Sequence, residues 1–300
     1  MATPMTATQI VAQLKKWGIK YKEVKSWETH NRAGHGAWGG MNGFIWHHTG
    51  ADVSTANAAE YAGGTLYNGL STLPGPLCHF GLAPDGTVYL VGWGRANHAG
   101  GGDQAVLNHV INEDYSGNLK PTKGNANGVD GNAHFYGVEI MYSGSHKMTD
   151  AQYKTALKLS AAILDFHKWT EKSVIGHGEW SNDKWDPGYA SGKIMDMSGV
   201  RKDVAATLKA GPSGTVTKPS TPTTPTKPTT PTTGGTVATK TAGYKEVWDL
   251  DAATPPKGHE TTANPSWAPM SILRGIYENL DALTKKVDEL SKKIDALQSK

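Results

Sequence analysis

Between Pro212 and Gly235 the chain is almost wholly Thr, Pro, Ser, Gly and Lys, and Pro219, Pro222, Pro225, Pro228 and Pro231 recur at every third position. A period of three lines these prolines along one ridge of a polyproline II helix, which rises ~3.1 Å per residue and forms no internal hydrogen bonds. Such a segment cannot enter a packed core and acts as a semi-rigid spacer. The 300 residues therefore divide into a body, 1–211, a linker, 212–235, and a tail, 236–300. The hydrophobic fraction of 37% is low for a globular chain because it averages an ordinary body with this spacer.

Composition removes several functional classes. Cys78 is the single cysteine, so no intramolecular disulfide framework, CxxC redox pair or zinc site built on two thiolates is available. Thirty Lys and Arg against 27 Asp and Glu leave a charge of +3, too even for a nucleic-acid binder that works by neutralising phosphates. No stretch approaches the ~18–20 consecutive apolar residues that cross a bilayer, so membrane insertion is not expected. The sequence Met1-Ala-Thr-Pro-Met-Thr6 lacks the basic and apolar regions of a secretory signal, which predicts a protein made in the cytoplasm.

The body reads as mixed α/β. Thr6 to Gln9 and Thr149 to Gln152 have the form of capping boxes, each followed by apolar residues at helical spacing: Ile10, Leu14 and Trp17, then Ala156, Leu159, Ile163 and Phe166. Phe44-Ile-Trp46, Phe135 to Met141 and Ser173-Val-Ile-Gly176 read as strands. His79 to Gly92 reads as a hairpin about Asp85-Gly86, and Val200, Val204 and Leu208 mark a last helix. The expected fold is α/β, with one mixed central sheet flanked by helices.

Three segments put titratable side chains at strand ends or just beyond them: Trp46-His47-His48-Thr49, Gly137-Val-Glu139-Ile140, and Gly176-His177 with Lys184-Trp185-Asp186-Pro187-Gly188. Without paired thiols, a catalytic zinc site must use imidazole and carboxylate, three protein ligands with one position open, and His47, His177 and Asp186 supply that set. His48 is expected to pack elsewhere, because adjacent strand residues face opposite ways. On the residues alone His79 and His98 are either substrate contacts or hydrogen-bonded structural histidines. Glu139 is either catalytic or a buried structural carboxylate. Cys78 reads as a small buried residue, Tyr136 and Trp93 as core or groove lining, and Trp180 and Trp185 as walls for a sugar or peptide.

These segments, together with Cys78-His-Phe80 followed by Asp85-Gly-Thr-Val88 and with Asn97-His-Ala-Gly100, stand in the order found in a known family. Over Gly43–Gly188 the chain resembles the zinc-dependent N-acetylmuramoyl-L-alanine amidases, which are related to peptidoglycan-recognition proteins and to phage lysozymes of the amidase type. The resemblance implies Zn2+ as cofactor, held by His47, His177 and Asp186. It implies Glu139 as the acidic residue that activates the zinc-bound water, and Lys184 as the cation that stabilises the oxyanion. The implied substrate is peptidoglycan, cut at the amide between N-acetylmuramic acid and L-alanine. A zinc peptidase acting within the stem peptide and a non-catalytic peptidoglycan-binding protein are the alternatives. Retention of all three ligands with Glu139 and Lys184 argues against the second.

The tail carries Leu273, Ile276, Leu280, Leu283, Val287, Leu290, Ile294 and Leu297 at alternating spacings of three and four. This is a heptad stripe, which predicts a coiled-coil helix over about 271–299 and a homo-oligomer. Residues 236–270 hold Trp248 and Trp267 and are read as a small wall-targeting element. A cytoplasmic amidase with a spacer and such a tail fits a bacteriophage endolysin, released to the host wall by a holin.

Overall fold

The computed structural model describes residues 2–214 and Lys286, which is helical and exposed. The linker beyond Gly214 and, apart from Lys286, the predicted coiled coil lie outside the described residues. The chain separates into two units, Met1–Thr223 and Thr224–Lys300, and the sheet with its flanking helices belongs to the first.

Six strands form the central sheet: β1 (Tyr21–Glu23), β2 (Gly43–His48), β3 (Phe80–Leu82), β4 (Val88–Leu90), β5 (Phe135–Ile140) and β6 (Val174–Gly176). Their spatial order is β1-β4-β3-β5-β2-β6. All neighbours run parallel except the β3–β4 hairpin, so the sheet is mixed, as the sequence predicts. The hairpin turns at Asp85-Gly86, where Gly86 adopts a φ of +81° and Asp85 accepts the Thr87 N–H at 2.9 Å. A positive φ is the reason a glycine stands there.

Alternation along the strands sorts side chains onto two faces. Phe44, Trp46, Tyr136, Val138 and Ile140 join one core with helices α1 (Ala7–Lys16), α4 (Asp150–His167) and α6 (Met197–Ala210). Ile45, Phe135 and Ile175 join the other core, with α3 (Gln104–Ile111) and Trp180 of the one-turn helix α5 (His177–Trp180). A further short helix, α2 (Ala58–Tyr61), continues as a π-helical turn over Ala62–Leu66. Strand β2 is covered on both faces, hence its unbroken apolar run.

Local sequence explains the helix starts. Thr6 and Gln9 exchange hydrogen bonds at 2.8 and 3.2 Å, and Thr149 and Gln152 do so at 2.9 and 3.0 Å, so both expected capping boxes are formed. Helix α1 stops at Gly18, whose φ is +60°. Trp46 Nε1–H, buried in the core, donates to Ser160 Oγ at 2.9 Å across the sheet–α4 interface. Among the described residues no helix is long and apolar enough to cross a membrane.

Candidate metal centre

The C-terminal ends of three adjacent parallel strands converge on one spot, the usual place for ligands in open α/β sheets. In the β2–β5 register His47 lies opposite Glu139, and in the β2–β6 register Trp46 lies opposite Gly176. His47 and Glu139 therefore share a face, and His177 enters directly after β6. The loop beyond α5 then returns Asp186 to the same point.

His47 Nδ1 lies 2.9 Å from His177 Nδ1 and 3.1 Å from Asp186 Oδ2, and His177 Nδ1 lies 3.2 Å from that same oxygen. Each edge of this triangle is close to the ~3.3 Å edge of a tetrahedron built on zinc bonds of ~2.0–2.1 Å. On its outer side His177 Nε2 meets the carbonyl of Ala99 at 3.1 Å. A carbonyl only accepts, so the His177 proton sits on Nε2, and Nδ1 presents a bare lone pair towards a carboxylate and a second imidazole. With both Nδ1 atoms unprotonated, such a gathering of lone pairs would be relieved by a cation, and two imidazoles with one carboxylate suit a divalent transition metal.

The protonation states agree with that need. Burial, aided by His177, pushes His47 down to about 4, so its imidazole is neutral at physiological pH. Burial alone would raise Asp186, but the neighbouring His177 and His47 rings hold it well below the ordinary carboxylate range.

Glu139 stands beside this cluster with Oε2 buried and unpaired. Burial raises its carboxyl well above the usual range, the negative charge of Asp186 raises it further, and Lys184 works in the opposite direction. Lys184 itself is exposed. A surface groove is lined by Ala51, Asp52, Asn57, Glu60 and Tyr61, and the Tyr61 phenol is raised by burial and by the charge of Glu139.

The structure separates the remaining sequence candidates. Trp185 is half-buried, its ring 4.5 Å from that of His48, and remains within reach of a ligand. His48 turns to the opposite face from His47 and accepts the Gly188 N–H at 3.2 Å. Trp180 is fully buried, with Nε1–H on the Ala99 carbonyl at 3.1 Å, so it is core and not a wall of the cleft. His79 is fully buried too. Its Nε2–H donates to Gly94 O at 2.9 Å and its Nδ1 accepts the Gly137 N–H at 3.1 Å, which leaves no atom for substrate. Burial pushes it down to about 4. His98 is buried with both ring nitrogens engaged, Nδ1 at 3.1 Å from His47 Nε2 and Nε2 at 3.1 Å from Phe135 O, and likewise leaves no atom for substrate. Cys78 is buried, and burial raises its thiol.

Sequence reasoning left Glu179 without a role. Its Oε2 accepts the Gly176 N–H at 3.0 Å and so caps the turn that carries His177. Arg201 grips the same carboxylate with two nitrogens at 2.8 and 2.9 Å. The signal for the cap was present, since Glu179 stands three residues after Gly176, but nothing local points to a partner on α6.

The fold thus gathers two imidazoles and a carboxylate that could hold a metal ion, with a second, strongly raised carboxyl beside them, at the ends of parallel strands. The model of the N-acetylmuramoyl-L-alanine amidase family matches residues 37–189, just over half of the chain, and the chain belongs to that family. Similar solved structures include the N-acetylmuramoyl-L-alanine amidase LysC from Clostridium intestinale URNW, at 16% identity over 62% of this chain and 97% of that one, with a TM-score of 0.38. The endolysin amidase LysCS from the same organism aligns at 17% identity over 57% of this chain and 88% of that one, with a TM-score of 0.36. The Drosophila peptidoglycan-recognition protein SA aligns at 17% identity over 57% and 87%, with a TM-score of 0.36. No curated protein matches the chain.

Proposed function

We propose that this chain is a zinc-dependent peptidoglycan amidase that cuts the amide between N-acetylmuramic acid and L-alanine, and that it serves as a phage endolysin. The observation that carries the reading is the triangle of His47 Nδ1, His177 Nδ1 and Asp186 Oδ2 beside the unpaired Oε2 of Glu139. Those three atoms would hold Zn2+, which supplies a Lewis acid for the amide carbonyl and lowers the pKa of water towards ~7.

The chain's own groups account for the remaining work. Glu139 accepts a proton from the attacking water at its carboxylate and delivers it to the departing amine of L-alanine. Its carboxyl, raised by burial, holds a proton more readily than a free carboxyl does and can carry it from the water to the amine. The Lys184 ammonium faces the negative charge that grows on the carbonyl oxygen. Trp185, next to Asp186 in the chain, would pack against the glycan or peptide side of the substrate. The Thr/Pro linker and the heptads of the tail, read from the sequence, would let several copies of the enzyme assemble. Weak wall contacts then add by avidity. Made in the host cytoplasm, the enzyme would reach the wall after holin-mediated release.

Digestion of purified peptidoglycan with mass analysis of the products tests the reaction. Stem peptides that begin with L-alanine, with the glycan strands intact, are expected. New amino termini only within peptides would replace the amidase by a stem-peptide endopeptidase. Sedimentation of the full chain tests the oligomer, and a monomer at micromolar concentration would remove it.

A further inference from the structure

The turn Asn97–Gly100 touches both imidazoles of the centre on their outer sides. His98 Nδ1 lies 3.1 Å from His47 Nε2, and the Ala99 carbonyl lies 3.1 Å from His177 Nε2. We infer that this turn is a positioning element that sets the tautomer of both metal-binding histidines, with His98 acting on His47 and the Ala99 carbonyl acting on His177. The inference rests on the zinc reading and deepens it.

The proton order follows from one fixed acceptor. Phe135 O can only accept, so His98 carries its proton on Nε2, 3.1 Å away, and its Nδ1 is bare. A bare Nδ1 at 3.1 Å can only accept from His47, whose proton is thereby drawn to Nε2. His47 Nδ1 is then left bare on the metal side, matching His177 Nδ1. The relay Phe135–His98–His47 thus does for one ligand what the Ala99 carbonyl does for the other.

The turn is itself held by a dedicated residue. Asn132 is buried, and its Oδ1 accepts three successive backbone N–H groups, from His98 at 3.0 Å, Ala99 at 2.8 Å and Gly100 at 3.3 Å. The space for the His98 ring comes from Gly137 on β5, where a Cβ would lie 2.3 Å from His98 Nδ1 and 2.6 Å from Cε1. A side chain at residue 137 would drive the ring off its place above the strand, so this glycine is required by the relay and not by a turn. Partners of this kind, which donate to or accept from the outer nitrogen of a ligating histidine, commonly change metal affinity by about 10–100-fold.

The test uses the full chain, stripped of metal and titrated with zinc against a competing chromogenic chelator. His98→Phe keeps the bulk of the ring without the acceptor and is expected to bind zinc about 10–100-fold more weakly, the range usual for such partners. His98→Asn returns an acceptor near the Nδ1 position and is expected to recover part of that loss. Asn132→Leu frees the turn and weakens binding, whereas Asn132→Asp, which keeps the oxygen, weakens it less. An independent readout comes from imidazole 15N shifts of the metal-free protein. Both His47 and His177 should be Nε2–H tautomers in the wild type, and His47 should become a mixture in His98→Phe while His177 stays unchanged. If His98→Phe lowers folding yield, Gly137→Ala displaces the same ring from the sheet side and should weaken zinc similarly. Wild-type affinity and an unchanged His47 tautomer in folded His98→Phe would overturn the inference. No zinc binding by the wild type would instead overturn the zinc reading on which it rests.

Discussion

Removing Arg201 should cost more stability than any surface ion pair could explain. The Arg201 and Glu179 side chains are only 6% and 11% exposed, and they meet in a two-pronged contact at 2.8 and 2.9 Å. Arg201→Met keeps most of the packing but leaves the Glu179 carboxylate buried, with the Gly176 N–H as its remaining strong donor. Breaking such a pair from one side typically costs about 3–5 kcal/mol, because the surviving charge has lost its compensation. For a domain of this size each kcal/mol moves the melting temperature by about 2–4 °C, so a fall of about 6–20 °C is expected in a thermal melt followed by circular dichroism. Converting both residues, Glu179→Leu with Arg201→Met, removes the stranded charge as well and should recover a large part of the loss. The double variant also leaves the Gly176 N–H uncapped, so it should stay below the wild type and bind zinc more weakly through His177. A melt of Arg201→Met within about 2 °C of the wild type would refute the reasoning, since that is less than 1 kcal/mol on the same scale. So would a double variant whose loss equals the sum of the two single losses.

Glu139→Gln should lower turnover by about 10²–10⁴-fold, the range for general acid–base residues, measured by release of soluble stem peptide. The same change should raise the stability of the metal-free protein at neutral pH. A folded carboxyl held above its unfolded pKa favours folding below the unfolded value and loses that contribution as pH rises through the folded one, so the gain should vanish near pH 4. The buried His79, held at about 4 when folded against 6.5 unfolded, acts in the opposite sense. Its contribution is complete above pH 6.5 and is lost as pH falls towards 4, by up to about 3 kcal/mol, and urea titrations of wild type and His79→Gln across this range should separate by that slope. Trp180→Ala should destabilise by about 3–5 kcal/mol through a cavity in the core. KM should remain unchanged at a temperature where the variant is folded, whereas Trp185→Ala should raise KM with little change in the melt.

The framework was legible in the sequence wherever a local rule operates. The Thr6 and Thr149 capping boxes, the Asp85-Gly86 turn and the apolar runs at Phe44, Phe135 and Val174 each mark an element that the fold contains. The three-residue edge strand β1 and helix α3 were not read, the first because it is short and largely exposed. His47, His177 and Asp186 were readable from residue types and the order of motifs, and the fold brings them together. The functions of His79, His98 and Trp180 were not readable, because a motif shows that a residue stands near a site and not which way its ring faces. His98 and Trp180 are directed inward by backbone carbonyls at Phe135 and Ala99, partners 37 and 81 residues distant in sequence. Glu179 and Arg201 escaped for the same reason, since their contact spans 22 residues and joins α5 to α6.

The central claim is that one zinc ion sits among His47 Nδ1, His177 Nδ1 and Asp186 Oδ2. A crystal structure of the zinc-loaded protein, with the metal located by its anomalous signal, tests it most directly. A single strong peak is predicted at about 2.0–2.2 Å from each of these three atoms, with the His98 and Ala99 contacts still on the outer nitrogens. A peak ligated through either Nε2, or no peak between these side chains, would contradict it.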